Sequence, residues 1–157
     1  MNSVEKIKEA LKKVVNGVFV ITTRCDDKVN GMTAVWVTTV SFDPPLVCVS
    51  IGKEHFTHNL IEKSGVFAVN ILREGQVDIG KHFGFASGKE TAKFANIPYT
   101  IKTTGSPVLN DVAAYLDCKV TSSVDLGNLT LFIGKVLDAW VDADAKPLVF
   151  REKDFFG

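Results

Sequence analysis

Three runs of strand-forming residues follow one another with very little chain between them: VFVITTR over 18–24, GMTAVWVTTVSF over 31–42 and LVCVSI over 46–51. β-Branched and aromatic residues dominate each run, as expected of strands. Their links are a polar Cys25-Asp26-Asp27-Lys28 turn and an Asp43-Pro44-Pro45 stop. Both are too short for the helical crossover that parallel neighbours require, so the sequence predicts an antiparallel meander. The middle run raises a question of its own, because Thr33, Thr38, Thr39 and Ser41 set hydroxyls along it. They do not share a face. Thr33, Thr39 and Ser41 lie on one side, and Thr38 lies on the other with Met32, Ala34, Trp36, Val40 and Phe42. A strand with one wet face explains only part of that pattern.

The rest of the chain agrees with a mostly β fold. Ahead of the first run, Val4, Ile7, Leu11 and Val14 recur at helical spacing, Asn2 with Glu5 has capping-box spacing, and Asn16-Gly17 marks the end of that helix. After the third run, Thr57 is the expected N-cap of a short helix that stops at Gly65 and leads into a strand over 66–72. Gln76 to Phe83 reads as helix and Gly84 to Gly88 as loop. Strands resume with TIKTT, with 113–125 and with 128–142, and Lys146-Pro147 introduces a last one, LVFR. No repeat or low-complexity linker divides the chain, so one domain over 1–157 is expected. Mainly antiparallel strands joined in sequence, with two or three peripheral helices, suit a closed or nearly closed β-barrel. No G-x-G-x-x-G opens a helix after the first strand, so a nucleotide bound here would not sit in a Rossmann fold.

Charge and cysteine content narrow the function. The 18 basic and 18 acidic residues cancel, which argues against nucleic acid or an anionic membrane as partner. The N-terminal MNSVEKIKEALKKVV threads charges through its apolar positions, unlike a signal peptide or a membrane span, and a cytoplasmic protein is expected. Cys25, Cys48 and Cys118 have no paired spacing for zinc, an iron–sulfur cluster or a redox disulfide and read as free thiols. His55 and His58 lack the spacing and acidic neighbour of a metal site, and no metal is expected. The serines lie outside any G-x-S-x-G elbow.

What remains is ligand binding. Lys53 to Asn59 combines a lysine with a helix start, where unpaired N–H groups and the positive end of the dipole favour a phosphate. Thr57 could equally serve only as a cap.

GMTAVWVTTVSFDPPLVCVSI followed by FTHNLIEKSGVFAVNIL, and later DIGKHFGFASGKETAKF and YLDCKVTSSVDLGNLTLFIGKV, resemble the flavin reductase-like family from Gly17 to Val141. The combination GKHFGF with THNLIEKSGVFAV is most similar to the ferric-reductase and flavoredoxin branches and to flavin domains attached to rubredoxin. The resemblance implies an FMN-binding split β-barrel, a homodimer with flavin near the dimer interface, and NAD(P)H as electron donor. FMN is preferred to FAD because the short loops offer no adenine pocket. By the same resemblance Thr33, Ala34, Val35, Trp36, Val37 and Thr38, with Ser41 behind them, would line the isoalloxazine ring. Ser50, Ile51, Gly52 and Lys53 would run past the ribityl chain, and Thr57, His58 and Asn59 would lie near the phosphate. His82 and Phe83 would close the slot, with core packing as the alternative for Phe83. No side chain is implied as catalytic, since the chemistry belongs to the flavin. Electrons would pass on to a metal chelate, free flavin or a partner protein. One departure stands out. Where many relatives have a histidine that handles nicotinamide, this chain has Leu129. That leaves Trp36 as a stacking surface for NAD(P)H, or a protein donor as in a flavoredoxin-type electron carrier.

Overall fold

The computed structural model describes residues 1–86 and 92–157. In chain order its elements are α1 (Ser3–Leu11), β1 (Phe19–Cys25), β2 (Lys28–Ala34), β3 (Val37–Ser41), β4 (Leu46–Gly52), α2 (Phe56–Ser64), β5 (Val66–Ile71) and α3 (Val77–Gly84). Then follow β6 (Tyr99–Ile101), β7 (Pro107–Leu109), β8 (Ala114–Asp125), β9 (Leu129–Val141) and α4 (Glu152–Phe156). Seven strands form one antiparallel sheet in the order β2-β1-β5-β8-β9-β4-β3, and β6 pairs separately with β7.

That order forces the sheet to close on itself. β2 and β3 are its two edges, which in a flat sheet would lie about 29 Å apart at roughly 4.8 Å per strand spacing. Only Val35 and Trp36 separate Ala34 from Val37, a reach of about 11 Å at 3.8 Å per residue. The sheet therefore curls into a barrel split between β2 and β3, with Val35-Trp36 crossing the seam. The run expected as one strand from Gly31 is thus two strands on opposite edges, and the expected meander is two hairpins joined across the seam. Because chain direction resets at 35–36 and a bulge falls between Thr39 and Ser41, a single alternation cannot describe the hydroxyls.

The barrel interior is packed by alternate residues. Val47, Val49 and Ile51 of β4 point inward with Ile21, Phe67, Val69 and Phe132. Gly134 on β9 makes this possible, since a Cβ there would come 2.5 Å from Phe67 Cζ and 3.0 Å from Cys118 Cβ. β1 is buried on both faces because a second cluster, with Val18, Val20, Leu72, Phe83, Val112 and Leu148, packs outside the barrel under α3.

Several expectations change. α1 carries the expected Asn2/Glu5 capping box, but it ends at Leu11 and its apolar stripe packs on nothing: Val4, Ile7, Leu11 and Val14 are each 60–63% exposed. Gly65 closes α2 in the left-handed region (φ 71°), whereas the N-cap is His55, one residue before the helix, and not Thr57. The last strand, LVFR, reduces to an isolated bridge at Val149, with another just ahead of it at Pro147. TIKTT pairs only as far as Ile101, and Gly84 to Gly88 lies partly outside the described residues. No helix among the described residues is long and apolar enough to cross a membrane.

Candidate functional site

The seam leaves a cleft. Its lower compartment, of about 280 Å³, is walled by Thr33, Ala34, Val35 and Trp36, by Ser50 and Gly52 at the end of β4, and by Asn128 and Leu129 at the start of β9. Its upper compartment, of about 250 Å³, lies between Asn30, the start of α2 at Phe56 and Thr57, the Gly84–Ala86 corner and Lys93. Met32, Glu54 and His55 belong to both, so the two adjoin. Together they fall within the roughly 300–1,000 Å³ usual for small-molecule sites.

Local hydrogen bonds hold these walls. The Ser50 amide donates to the Trp36 carbonyl at 3.0 Å, which pins the crossing chain to β4. Thr33 Oγ1 donates to the Gly80 carbonyl at 2.5 Å and fastens β2 to α3. The Thr33 hydroxyl thus serves the wall itself. Lys53 donates through its amide to the Asn128 carbonyl at 3.0 Å and through Nζ to Asp125 at 2.7 Å. These bonds clamp the β8–β9 hairpin over the lower compartment. Lys53 Nζ, with the Gly127 amide, holds the Asp125 carboxyl below the usual carboxylate range.

At the upper end α2 has no side-chain cap, and of its first amides that of His58 donates to the His55 carbonyl at 3.1 Å. Asn30 Nδ2 donates to Thr57 Oγ1 at 2.9 Å, tying β2 to the start of that helix. Lys93 is 5% exposed, and its ammonium donates to the carbonyls of Gly31 (2.9 Å) and Phe83 (3.1 Å). Burial pushes it below the usual lysine range. No carboxylate among the described residues pairs with it. Glu54 and His55, 3.3 Å apart, are the other ionisable groups on this wall.

Of the residues expected to touch a ligand, Thr33, Ala34, Val35, Trp36, Ser50, Gly52 and Thr57 line the cleft. The others are placed elsewhere. Val37 packs on the barrel core, and Thr38 is exposed on β3. Ser41 sits at the far end of that strand beside the bulge, opposite Leu46. Ile51 points into the barrel, as alternation from Ser50 demands. Lys53 is committed to Asp125. His58 is buried one residue deeper in α2, with Nε2 2.8 Å from Thr130 Oγ1 and its ring against Phe132, so it anchors the helix to β9. Asn59 faces a separate depression beside the β1–β2 turn. His82 Nε2 donates to the Lys93 carbonyl at 2.6 Å and positions that residue from behind. Phe83, 1% exposed, is core.

Asn30, Glu54, His55, Phe85 and Lys93 were not anticipated. Asn30, a polar residue inside a strand, and His55, just ahead of a helix, carried a faint signal. Lys93 carried none, because lysines are ordinarily solvated.

Comparison with known proteins gives a consistent result. Residues 11–157 match the family model described as flavin reductase like domain. The chain is 37% identical over 144 residues to the high molecular weight rubredoxin of Moorella thermoacetica, covering 90% of this chain but only 63% of that protein. It is 32% identical over 146 residues to the ferric-chelate reductase (NAD(P)H) of Archaeoglobus fulgidus, covering 92% and 86%. The crystal structure of an FMN-binding protein from Thermus thermophilus superposes with a TM-score of 0.78 at 32% identity, covering 83% of this chain and 74% of that one.

Proposed function

The chain belongs to the flavin reductase-like family, and from that premise we propose that it is an oxidoreductase whose seam cleft holds FMN, takes reducing equivalents from NAD(P)H and passes them on. The observation that carries this reading is the pair of adjoining compartments at the seam, with residues 33–36 and the Trp36 ring at one end and a helix start without a side-chain cap beside a buried ammonium at the other. Those features fit a flat, polar-edged ring joined to a phosphate. A flavin held between residues 33–36 and the start of α2 would supply the redox chemistry, hydride acceptance and onward electron transfer.

The protein's part is to bind and orient. Residues 33–36, with Trp36 among them, would border the ring. Gly52, where a Cβ would come 2.6 Å from the Glu54 carboxylate oxygens, would border the chain that leads from the ring. Leu129, which lines the lower compartment, would give a nicotinamide an apolar neighbour. The reductases among the relatives favour NAD(P)H over a protein donor, so the carrier alternative is not preferred.

The acceptor is a metal chelate, free flavin or a partner protein. The protein acts as one domain and as a homodimer, a reading supported by the unpaired apolar stripe of α1 and by Val40, Phe42, Trp140 and Val141, all exposed. A cytoplasmic location is supported by three cysteines that are all free thiols. The test is anaerobic mixing of the FMN-loaded protein with NADH or NADPH. Bleaching of the flavin band by either is expected, and no bleaching by both would remove the reductase reading.

A further inference from the structure

We propose that Glu54 and His55 form a carboxylate–imidazole pair that takes up one proton when the cleft receives a hydride, so that His55 Nδ1 holds the second proton a two-electron acceptor needs. This rests on the flavin reading above and adds to it a proton-holding group that the site residues expected from sequence did not include.

The pair is built into the junction of the two compartments. Among the described residues only Met32, Glu54 and His55 border both. The backbone pins them there, since the His55 amide donates to the Gly52 carbonyl at 3.2 Å and the His55 carbonyl accepts from the His58 amide at 3.1 Å. Gly52 makes the seat for the carboxylate: a Cβ at that position would come 2.6 Å from both Glu54 oxygens and displace them. From that seat Glu54 Oε1 lies 3.3 Å from His55 Nε2. A carboxylate at such a distance favours the charged imidazole, and imidazole is the side chain suited to exchanging a proton near neutral pH. With Nε2 turned to the carboxylate, Nδ1 is the nitrogen that takes the proton. The ring is 44% exposed, so the proton arrives from solvent without a relay.

The other ionisable groups around the pair are engaged elsewhere. Lys53 and Asp125 are locked to each other at 2.7 Å. Lys93, across the upper compartment, gives its ammonium to two carbonyls, and His58 turns its ring to Thr130.

The proton count follows from the chemistry. A hydride is one proton and two electrons, so its transfer leaves NAD(P)+ behind and brings one negative charge into the cleft. That charge strengthens the hold of His55 Nδ1 on a proton. When two electrons pass on to a two-proton acceptor such as a free flavin, the hydride's proton and the proton from Nδ1 go with them, and the pair returns to its starting state. A metal chelate that takes electrons alone would leave both protons to solvent.

The experiment measures the midpoint potential of the FMN-loaded protein by anaerobic dye-mediated titration from about pH 6 to about pH 8.5, for wild type, His55→Gln and Glu54→Gln. No nicotinamide is used, so the readout is independent of the donor. At the acid end the wild type should favour the reduced state over His55→Gln by roughly tenfold, about 30 mV for a two-electron couple, and the two curves should converge at the alkaline end. Glu54→Gln should converge with His55→Gln at a lower pH than the wild type does. Coincident curves for wild type and His55→Gln, or an offset that is the same at every pH, would overturn the proposal while the flavin reading stood. A wild-type slope of no more than one proton per electron pair at every pH would overturn it without recourse to a variant. Failure of the wild type to bind FMN would overturn the flavin reading itself.

Discussion

Replacing Phe83 by alanine separates two roles that sequence alone left open, a wall of the ligand slot and a piece of the core. The ring is sealed inside the second cluster, 5.2 Å from Phe94 and edge-on to His82 at 5.0 Å. Beneath it lies Gly31, where a Cβ would stand only 3.3 Å from Phe83 Cδ1. On the Gly31 side the space left by truncation therefore borders bare backbone, with no side chain there to relax into it. Phenylalanine-to-alanine changes in cores cost about 3–5 kcal/mol, and the poor prospects for collapse place this one toward the upper part of that range. With a urea m-value of roughly 2 kcal/mol/M, the unfolding midpoint of the flavin-free protein should fall by about 2 M. The assay is urea unfolding followed by circular dichroism, with an FMN titration under native conditions alongside. The Phe83 carbonyl that accepts from Lys93 belongs to the backbone and survives the change, so FMN affinity should move only a few-fold. A midpoint shift below about 0.5 M together with a loss of FMN affinity beyond about tenfold would place Phe83 in the ligand wall and refute this account.

Trp36→Ala should behave in the opposite way. Because Trp36 is 61% exposed, stability should stay within about 0.5 kcal/mol while FMN affinity drops several-fold, as thermal unfolding and flavin titration would show. The clamp between Lys53 and Asp125 should respond to acid. The Asp125 pKa is lower in the folded than in the unfolded state, so its stabilising effect is complete above about pH 4 and is lost as pH falls through the folded value, which NMR titration of the Gly127 amide would follow. The Cys118 thiol is pushed up to about 12 by burial and then by Asp117, so around pH 8 it should resist iodoacetamide in the native protein and react once urea unfolds it, as mass spectrometry would record.

Local chemistry in the sequence described local structure well. The Asn2/Glu5 cap, the β1–β2 turn, Gly65 as a helix stop and the two long strands of the last hairpin all lie where residue types placed them, since each depends on neighbours in the chain. What stayed hidden depends on closure of the barrel. Nothing in GMTAVWVTTVSF shows that Val35-Trp36 crosses a seam, because periodicity cannot reveal that β2 and β3 lie on opposite edges. The start of α2 does border the cleft, but helix rotation carries His58 to Thr130 on β9 and Asn59 to the depression beside the β1–β2 turn. Lys93 was invisible, since its burial is a tertiary fact. The apolar stripe of α1 was legible as periodicity and yet packs against no part of its own chain.

The central claim is that flavin occupies the cleft at the barrel seam. It is tested most directly by adding FMN to the isotopically labelled, flavin-free protein and mapping amide chemical-shift changes. The account predicts large changes at Ala34, Val35 and Trp36, at Gly52 and at Phe56 and Thr57, with little change beside the β1–β2 turn around Asp26 and Asn59. Changes centred on that turn, or spread over the barrel without a focus at 34–36, would contradict it.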